Sequence, residues 1–159
     1  VINVGGAADM DKAFRDGQGA YIEQQGPFPQ QLEKDGAGHI VAQVGEQIGP
    51  NAFSSLAATR EWLAPDTAKA FTRAYKKTRV WLNETPAEEI AKAEKSYFPK
   101  IDFDVLTDCI ATYQQLGCWT PHIEITPEAL EVALDVFDHF GTLKARYAYN
   151  QVCAPPPTV

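Results

Sequence analysis

The sequence predicts an α/β chain, with a strand-rich first third followed by a mostly helical part. Three observations predict it. Short apolar runs alternate with glycine turns up to residue 56. A stretch of helical spacing separates the first two of these runs, the pattern of a small βαβ unit, and a parallel sheet follows from such a unit. From about Ala57 the apolar period lengthens from two residues to 3.6. The predicted division is therefore 1–56, an α/β part carrying a pocket loop, and 57–159, a helical part.

Val1-Ile2-Asn3-Val4 reads as the first strand, and with no initiator Met and no polar lead-in before it, further chain is expected upstream. Gly5-Gly6 turns the chain into a short helix. Asp9 is its expected N-cap, Met10, Ala13 and Phe14 share one face, and Asp16-Gly17 stops it. Further strands are expected at Ala20 to Ile22, His39 to Val44 and Phe53 to Leu56, with Gly26, Gly36, Gly45 and Gly49-Pro50 as punctuation.

Four helices follow. Pro65 opens the first, whose apolar stripe is Ala68, Phe71, Tyr75, Thr78 and Leu82, while Lys69, Arg73, Lys76 and Lys77 fall largely on other faces. Thr85-Pro86-Ala87-Glu88 starts the second and has the form of a capping box with proline at the first helical position. The third runs from Asp102 to Leu116, with Phe103, Leu106, Ile110 and Tyr113 on one face and Gly117 as its stop. Thr126-Pro127-Glu128 begins the fourth, striped by Leu130, Ala133, Leu134 and Phe137 and ended by Gly141. Ala145 to Val152 is expected as a closing strand, and Ala154-Pro155-Pro156-Pro157 can continue neither helix nor sheet.

Charge narrows the function classes. The formal net charge is −7, and neither part is basic: residues 1–56 hold three basic and seven acidic side chains, and 57–159 hold eleven and fourteen. That is the wrong sign for gripping a phosphate backbone, so nucleic acid is not expected as a partner. No run approaches the roughly 18 to 20 apolar residues that span a bilayer, so direct membrane insertion is not expected either. Cys109, Cys118 and Cys153 are too few for a disulfide scaffold and match no zinc spacing, and one bridge plus a free thiol or three free thiols both fit.

Catalytic motifs are scarce. There is no Gly-x-Ser-x-Gly elbow, phosphate loop or His-Glu-x-x-His. His39, His122 and His139 lack the spacing of a metal site, and Glu88-Glu89 and Asp102/Asp104/Asp108 read as solvated acids near helix starts. No catalytic residue, metal or cofactor is expected. Two segments stand out as binding candidates. Gly5, Gly6 and Ala7 link a strand to a helix start, where backbone N–H groups face outward. Glu23, Gln24, Gln25 and Phe28 lie where a strand runs into a Gly-Pro turn, amide groups beside an apolar wall.

The order of Ala13-Phe14-Arg15-Asp16-Gly17-Gln18-Gly19-Ala20-Tyr21, the pocket loop, Leu32-Glu33-Lys34-Asp35-Gly36 and Asn51-Ala52-Phe53-Ser54-Ser55-Leu56-Ala57-Ala58-Thr59 resembles the second half of solute-binding proteins of ABC importers. The group is the sulfonate/taurine/nitrate and thiamine-pyrimidine-precursor (NMT1/THI5-like) one. Pro65-Asp66-Thr67-Ala68-Lys69-Ala70-Phe71 and Ile110 to Trp119 extend the resemblance over nearly the whole chain. It implies a two-lobed, type II-like α/β fold, a hinge crossing near Phe53 to Thr59, and helices that return to the first lobe. It further implies capture of a small polar solute in an interlobe cleft, a periplasmic location and permease subunits as partners. The family's aromatic-Glu-Pro pocket motif falls near Ile22-Glu23-Gln24-Gln25-Gly26-Pro27, where the aromatic is replaced by Ile22 and Phe28 stands as a substitute wall. Two alternatives share these features: a biosynthetic enzyme of the pyrimidine-precursor branch, drawing on His39 and the cysteines, and a helical interaction module made of 57–159.

Overall fold

The computed structural model describes residues 1–157, and among them there is no β-strand. The α/β expectation is thereby corrected, and with it the type II-like fold that the resemblance implied. Residues 1–4, 20–22, 39–43, 53–56 and 145–148 run without regular secondary structure. A strand exists only where a neighbour takes up its N–H and C=O groups, and alternation over four residues supplies no neighbour. Val1, Ile2, Tyr21, Val41, Phe53 and Leu56, whose apolar character suggested strands, are exposed rather than gathered under one covered sheet face. The expected closing strand ends instead in one helical turn, Tyr149–Val152.

The helices follow their sequence signals more closely. They are α1 (Ala7–Arg15), α2 (Phe28–Lys34), α3 (Val44–Ile48), α4 (Asp66–Glu84), α5 (Ala87–Glu94), α6 (Phe103–Gln115), α7 (Pro127–His139) and α8 (Tyr149–Val152), with 3-10 turns at Glu61–Leu63 and Lys95–Tyr97. Asp102 and Thr126 occupy the N-cap positions of α6 and α7, and the Thr126 hydroxyl accepts from the Ala129 N–H at 3.2 Å. Gly117 closes α6 at φ 65°, a left-handed conformation that lets the Cys118 N–H reach the Tyr113 carbonyl at 3.0 Å. Two expected caps differ. Gly6, not Asp9, is the N-cap of α1, and Asp9 reaches back from the first turn to accept the Gly6 N–H at 3.2 Å. Before α5 the cap is Pro86 with no side-chain hydrogen bond, so the Thr85–Glu88 capping box does not form. Helices α2 and α3 were not expected; each is short, and α2 starts at the aromatic end of the pocket loop.

The chain divides into two compact units. The first joins Val1–Ala42 with Thr85–Cys118, and the second joins Gln43–Glu84 with the chain from Trp119 onward. The first unit is built on α5 packed against α6, with α2 across α6. Ile90, Ala91, Ile101, Val105, Leu106, Cys109 and Ile110 form its core, joined by Leu32 from α2 and Ala13 from α1. Burying side chains of the Leu and Ile class is worth about 1.5–3 kcal/mol each, which makes the α5–α6 pair the centre of this unit's stability. Polar ties hold α2 in place: Lys34 Nζ bridges Asp102 and Asp104 at 2.8 and 2.6 Å, and the Gln31 side-chain oxygen accepts from the Asp102 N–H at 3.2 Å.

The second unit has a thinner core. Ala68, Thr72 and Leu82 of α4 and Ala133 of α7 are its buried side chains among the described residues. The buried Thr72 hydroxyl donates to the Ala68 carbonyl at 2.8 Å, so no polar group is stranded there. Long side chains make the remaining ties. Arg79 donates to the Thr120 carbonyl at 2.8 Å and lies over the Tyr75 ring, Asn83 reaches the Trp119 carbonyl, and the Tyr149 hydroxyl donates to the Ile125 carbonyl at 2.6 Å. Trp62, Phe71 and Tyr75 form an aromatic row, edge-on at 5.7 Å and then stacked at 6.2 Å.

Candidate functional site

Every binding residue expected from the sequence lies in the first unit, in two stretches about 17 residues apart along the chain. The structure brings these stretches together. Gln24 Nε2 donates to the Ala7 carbonyl at 3.0 Å, half-buried, which pins the pocket loop to the start of α1. The loop's other end is fixed as firmly: the Gly26 N–H donates to the Tyr113 hydroxyl at 3.0 Å, and Pro27, joined to Gly26 by a cis peptide, is buried before α2 begins.

Around these anchors the remaining candidates stay open to solvent. Glu23 and Gln25 are exposed, and among the described residues the Glu23 carboxylate has no hydrogen-bond or ion-pair partner. Phe28, the first residue of α2, is 39% exposed, so part of this aromatic residue is open to solvent. At the start of α1 the two glycine donors are already committed: the Gly5 N–H to Asn3 Oδ1 and the Gly6 N–H to Asp9 Oδ2, each at 3.2 Å. Gly5 itself sits at φ 113°, and a Cβ there would meet Asp9 Oδ2 at 2.8 Å, so the turn needs glycine.

The electrostatics of this surface are acidic. Lys12 pairs with Asp16, Arg15 with Asp11 and Asp35, and Lys34 with Asp102 and Asp104, which raises the pKa of each base above its ordinary value, chiefly through those hydrogen bonds. The three basic side chains of the first 42 residues are thus all engaged elsewhere, and Glu23 is left as an uncompensated acceptor. What the arrangement offers chemically is hydrogen-bond acceptance from an amine or hydroxyl, adaptable amide donors and an apolar wall.

The other reactive side chains do not converge. His39 is exposed 3.7 Å from Glu33, His122 lies beside Glu124, and His139 packs edge-on against Phe140. Among the described residues no group of His, Cys, Asp and Glu is placed to hold a metal ion. Cys109, Cys118 and Cys153 are free thiols, and burial pushes the Cys109 pKa up to about 11. Sequence reasoning missed that Asp9 would take up the Gly6 donor. The signal was present, since an acid at the third helical position after a glycine can reach back to the cap. It also missed Tyr113 as an anchor of the pocket loop, 87 residues away in sequence, for which no local signal exists.

Among known proteins the chain is similar to one of Bacillus subtilis (strain 168) named "Putative binding protein YtlA". The two are 31% identical over 147 residues, which make up 91% of this chain and 44% of that protein. The chain therefore spans less than half the length of the curated relative it matches. No protein-family model and no solved structure matches the chain. Among the described residues no helix is long and apolar enough to cross a membrane.

Proposed function

We propose that the chain is part of a solute-binding protein, and that Gly5–Ala7 and Glu23–Phe28 form a surface that contacts the solute. The observation that carries the proposal is the Gln24–Ala7 hydrogen bond, which places two separate candidate stretches side by side. Glu23 and Phe28 remain exposed beside it. The likeness to a protein named as a binding protein supports the class. The mechanism is capture, in which no covalent bond is made or broken. Glu23 accepts from an amine or hydroxyl, Gln25 supplies amide hydrogen bonds, and Phe28 covers an apolar edge of the ligand.

The finer assignment is proposed on the order of motifs along the chain: the substrate-binding component of an ABC importer, periplasmic, not an enzyme, handing a small polar solute to permease subunits. The experiment is a thermal-unfolding titration of the 159-residue chain with taurine, nitrate, a short alkyl sulfonate and an aminopyrimidine. A ligand that binds only the native state adds about 2.7 kcal/mol of stability at 100 times its Kd. One compound of the four is expected to raise the Tm, Glu23→Ala to weaken that effect at least about tenfold, the loss of one charge-assisted hydrogen bond, and Gln24→Ala to weaken it by releasing the loop from the Ala7 carbonyl. A flat Tm with all four compounds overturns the proposal.

A further inference from the structure

Helix α4 carries a face that the second unit leaves uncovered. Ala70, Ala74, Lys77 and Trp81 follow one another at steps of four, three and four residues, which keeps them in line along the helix, and all four are exposed. Arg73 and Val80 flank this seam on one side and Phe71 on the other, again exposed. The buried side chains of α4, Ala68, Thr72 and Leu82, lie on another face.

The charge of the seam is opposite in sign to that of the chain. Residues 67–83 hold five of the fourteen basic side chains and no acid, in a chain of net charge −7. Three of the five are engaged: Lys69 pairs with Asp66 at 3.1 Å, Arg79 donates to the Thr120 carbonyl, and Lys76 lies in the field of Glu124. Arg73 and Lys77, one helical turn apart, have no hydrogen-bond or ion-pair partner among the described residues.

That combination restricts what can cover the face. Two unpaired cations call for carboxylates, and alanines at 70 and 74 let a second helix come close. A partner one helix wide, about 10–12 Å across, meets the seam alone. An extended anionic surface also meets the acids outside it, since exposed charges act over about 8 Å at physiological salt. A second copy of the chain is poorly suited, because its acidic stripe on α7, Glu131, Asp135 and Asp138, is already held by Arg146. We propose that this face of α4 docks an acidic amphipathic helix of a partner protein, its carboxylates on Arg73 and Lys77 and its apolar stripe against Ala70, Ala74 and Trp81. The surface is in the second unit and does not depend on the solute surface of the first.

The test titrates the whole chain with an amphipathic peptide of Leu-Ala-Ala-Leu-Glu-Ala-Glu repeats and with its counterpart carrying Lys for Glu. Amide NMR shifts of Ala70, Ala74 and Lys77 and the indole N–H of Trp81 are followed. Saturating shifts are expected with the Glu peptide and not with the Lys peptide, and weaker binding as salt rises. Arg73→Gln combined with Lys77→Gln is expected to weaken binding about fivefold, the value of two surface ion pairs. Arg73→Glu combined with Lys77→Glu is expected to reverse the preference between the peptides. Equal affinity for the two peptides, or a preference that the charge reversal leaves unchanged, overturns the proposal. So do displacement of the Glu peptide by phosphatidylglycerol vesicles, which assigns the face to a lipid surface, and self-association of the chain that the charge reversal abolishes, which assigns it to a second copy. Loss of peptide binding in a longer product of the same gene overturns it as well, because the face is then covered from within.

Discussion

Cys109 shows how one side chain is shaped by what closes over it. It lies 4% exposed on α6, beside the loop at Gly26, where an added Cβ would stand 2.5 Å from its sulfur. Loss of solvent is the main reason its thiol is raised from 9.0 to about 11, with Glu94 and Cys118 adding to it. In the unfolded chain the same thiol ionises first, so between pH 9 and about 11 the native state holds more protons and unfolding free energy falls as pH rises. Urea unfolding across that window is expected to show a smaller fall for Cys109→Ala than for the unaltered chain. Alkylation at pH 8 followed by peptide mapping is expected to label the exposed Cys118 in the native protein and Cys109 only after unfolding. Of this the sequence showed only three cysteines with no metal spacing. Burial is a property of the packed unit, which is why the difference between the three could not be read from their neighbours. The candidate residues fared similarly: amide and aromatic character marked Gln24 and Phe28, but the Ala7 carbonyl that holds Gln24 was not legible.

Among elements, those that end in local chemistry were the legible ones. α7 begins at Thr126, and α6 and α7 stop before Gly117 and Gly141, because caps and left-handed glycines act within a few residues. The expected strands failed for the converse reason, since pairing needs a partner that four alternating residues do not contain. The Thr126 cap is expected to be worth about 1 kcal/mol, so Thr126→Ala should lower stability by that amount in denaturant titration and reduce helicity at the start of α7. Gly26→Ala tests the seating of the pocket loop against α6. Its Cβ would meet Cys109 Sγ at 2.5 Å and the Tyr113 hydroxyl at 2.9 Å, overpacking expected to cost about 1–3 kcal/mol. In the Cys109→Ala background the loss should be smaller, because half of the collision is gone, and a double-mutant cycle measures the difference.

At the scale of the molecule, the two units differ in how much they close upon themselves. The first has a continuous core from Ile90 to Ile110 with Leu32 added, whereas the second buries mainly Ala68, Thr72, Leu82 and Ala133 and leaves Phe71, Trp81 and Phe140 exposed. Hydrogen exchange is expected to be slowest in α5 and α6 and faster in α4 and α7, and uniform protection across the four would contradict this account. The division itself was hidden from the sequence, because each unit combines stretches that lie far apart along the chain. The chain passes between units after Ala42, Glu84 and Cys118. Cutting it once, after Glu84, would therefore give two pieces of which each holds one part of the first unit and one part of the second. Such pieces would recognise each other as bivalent partners, the first docking event raising the effective concentration for the other. Their reassembly should accordingly be far tighter than that of either pair of half-units produced without its tethered neighbour, and the fold would lend itself to a split reporter cut at that point.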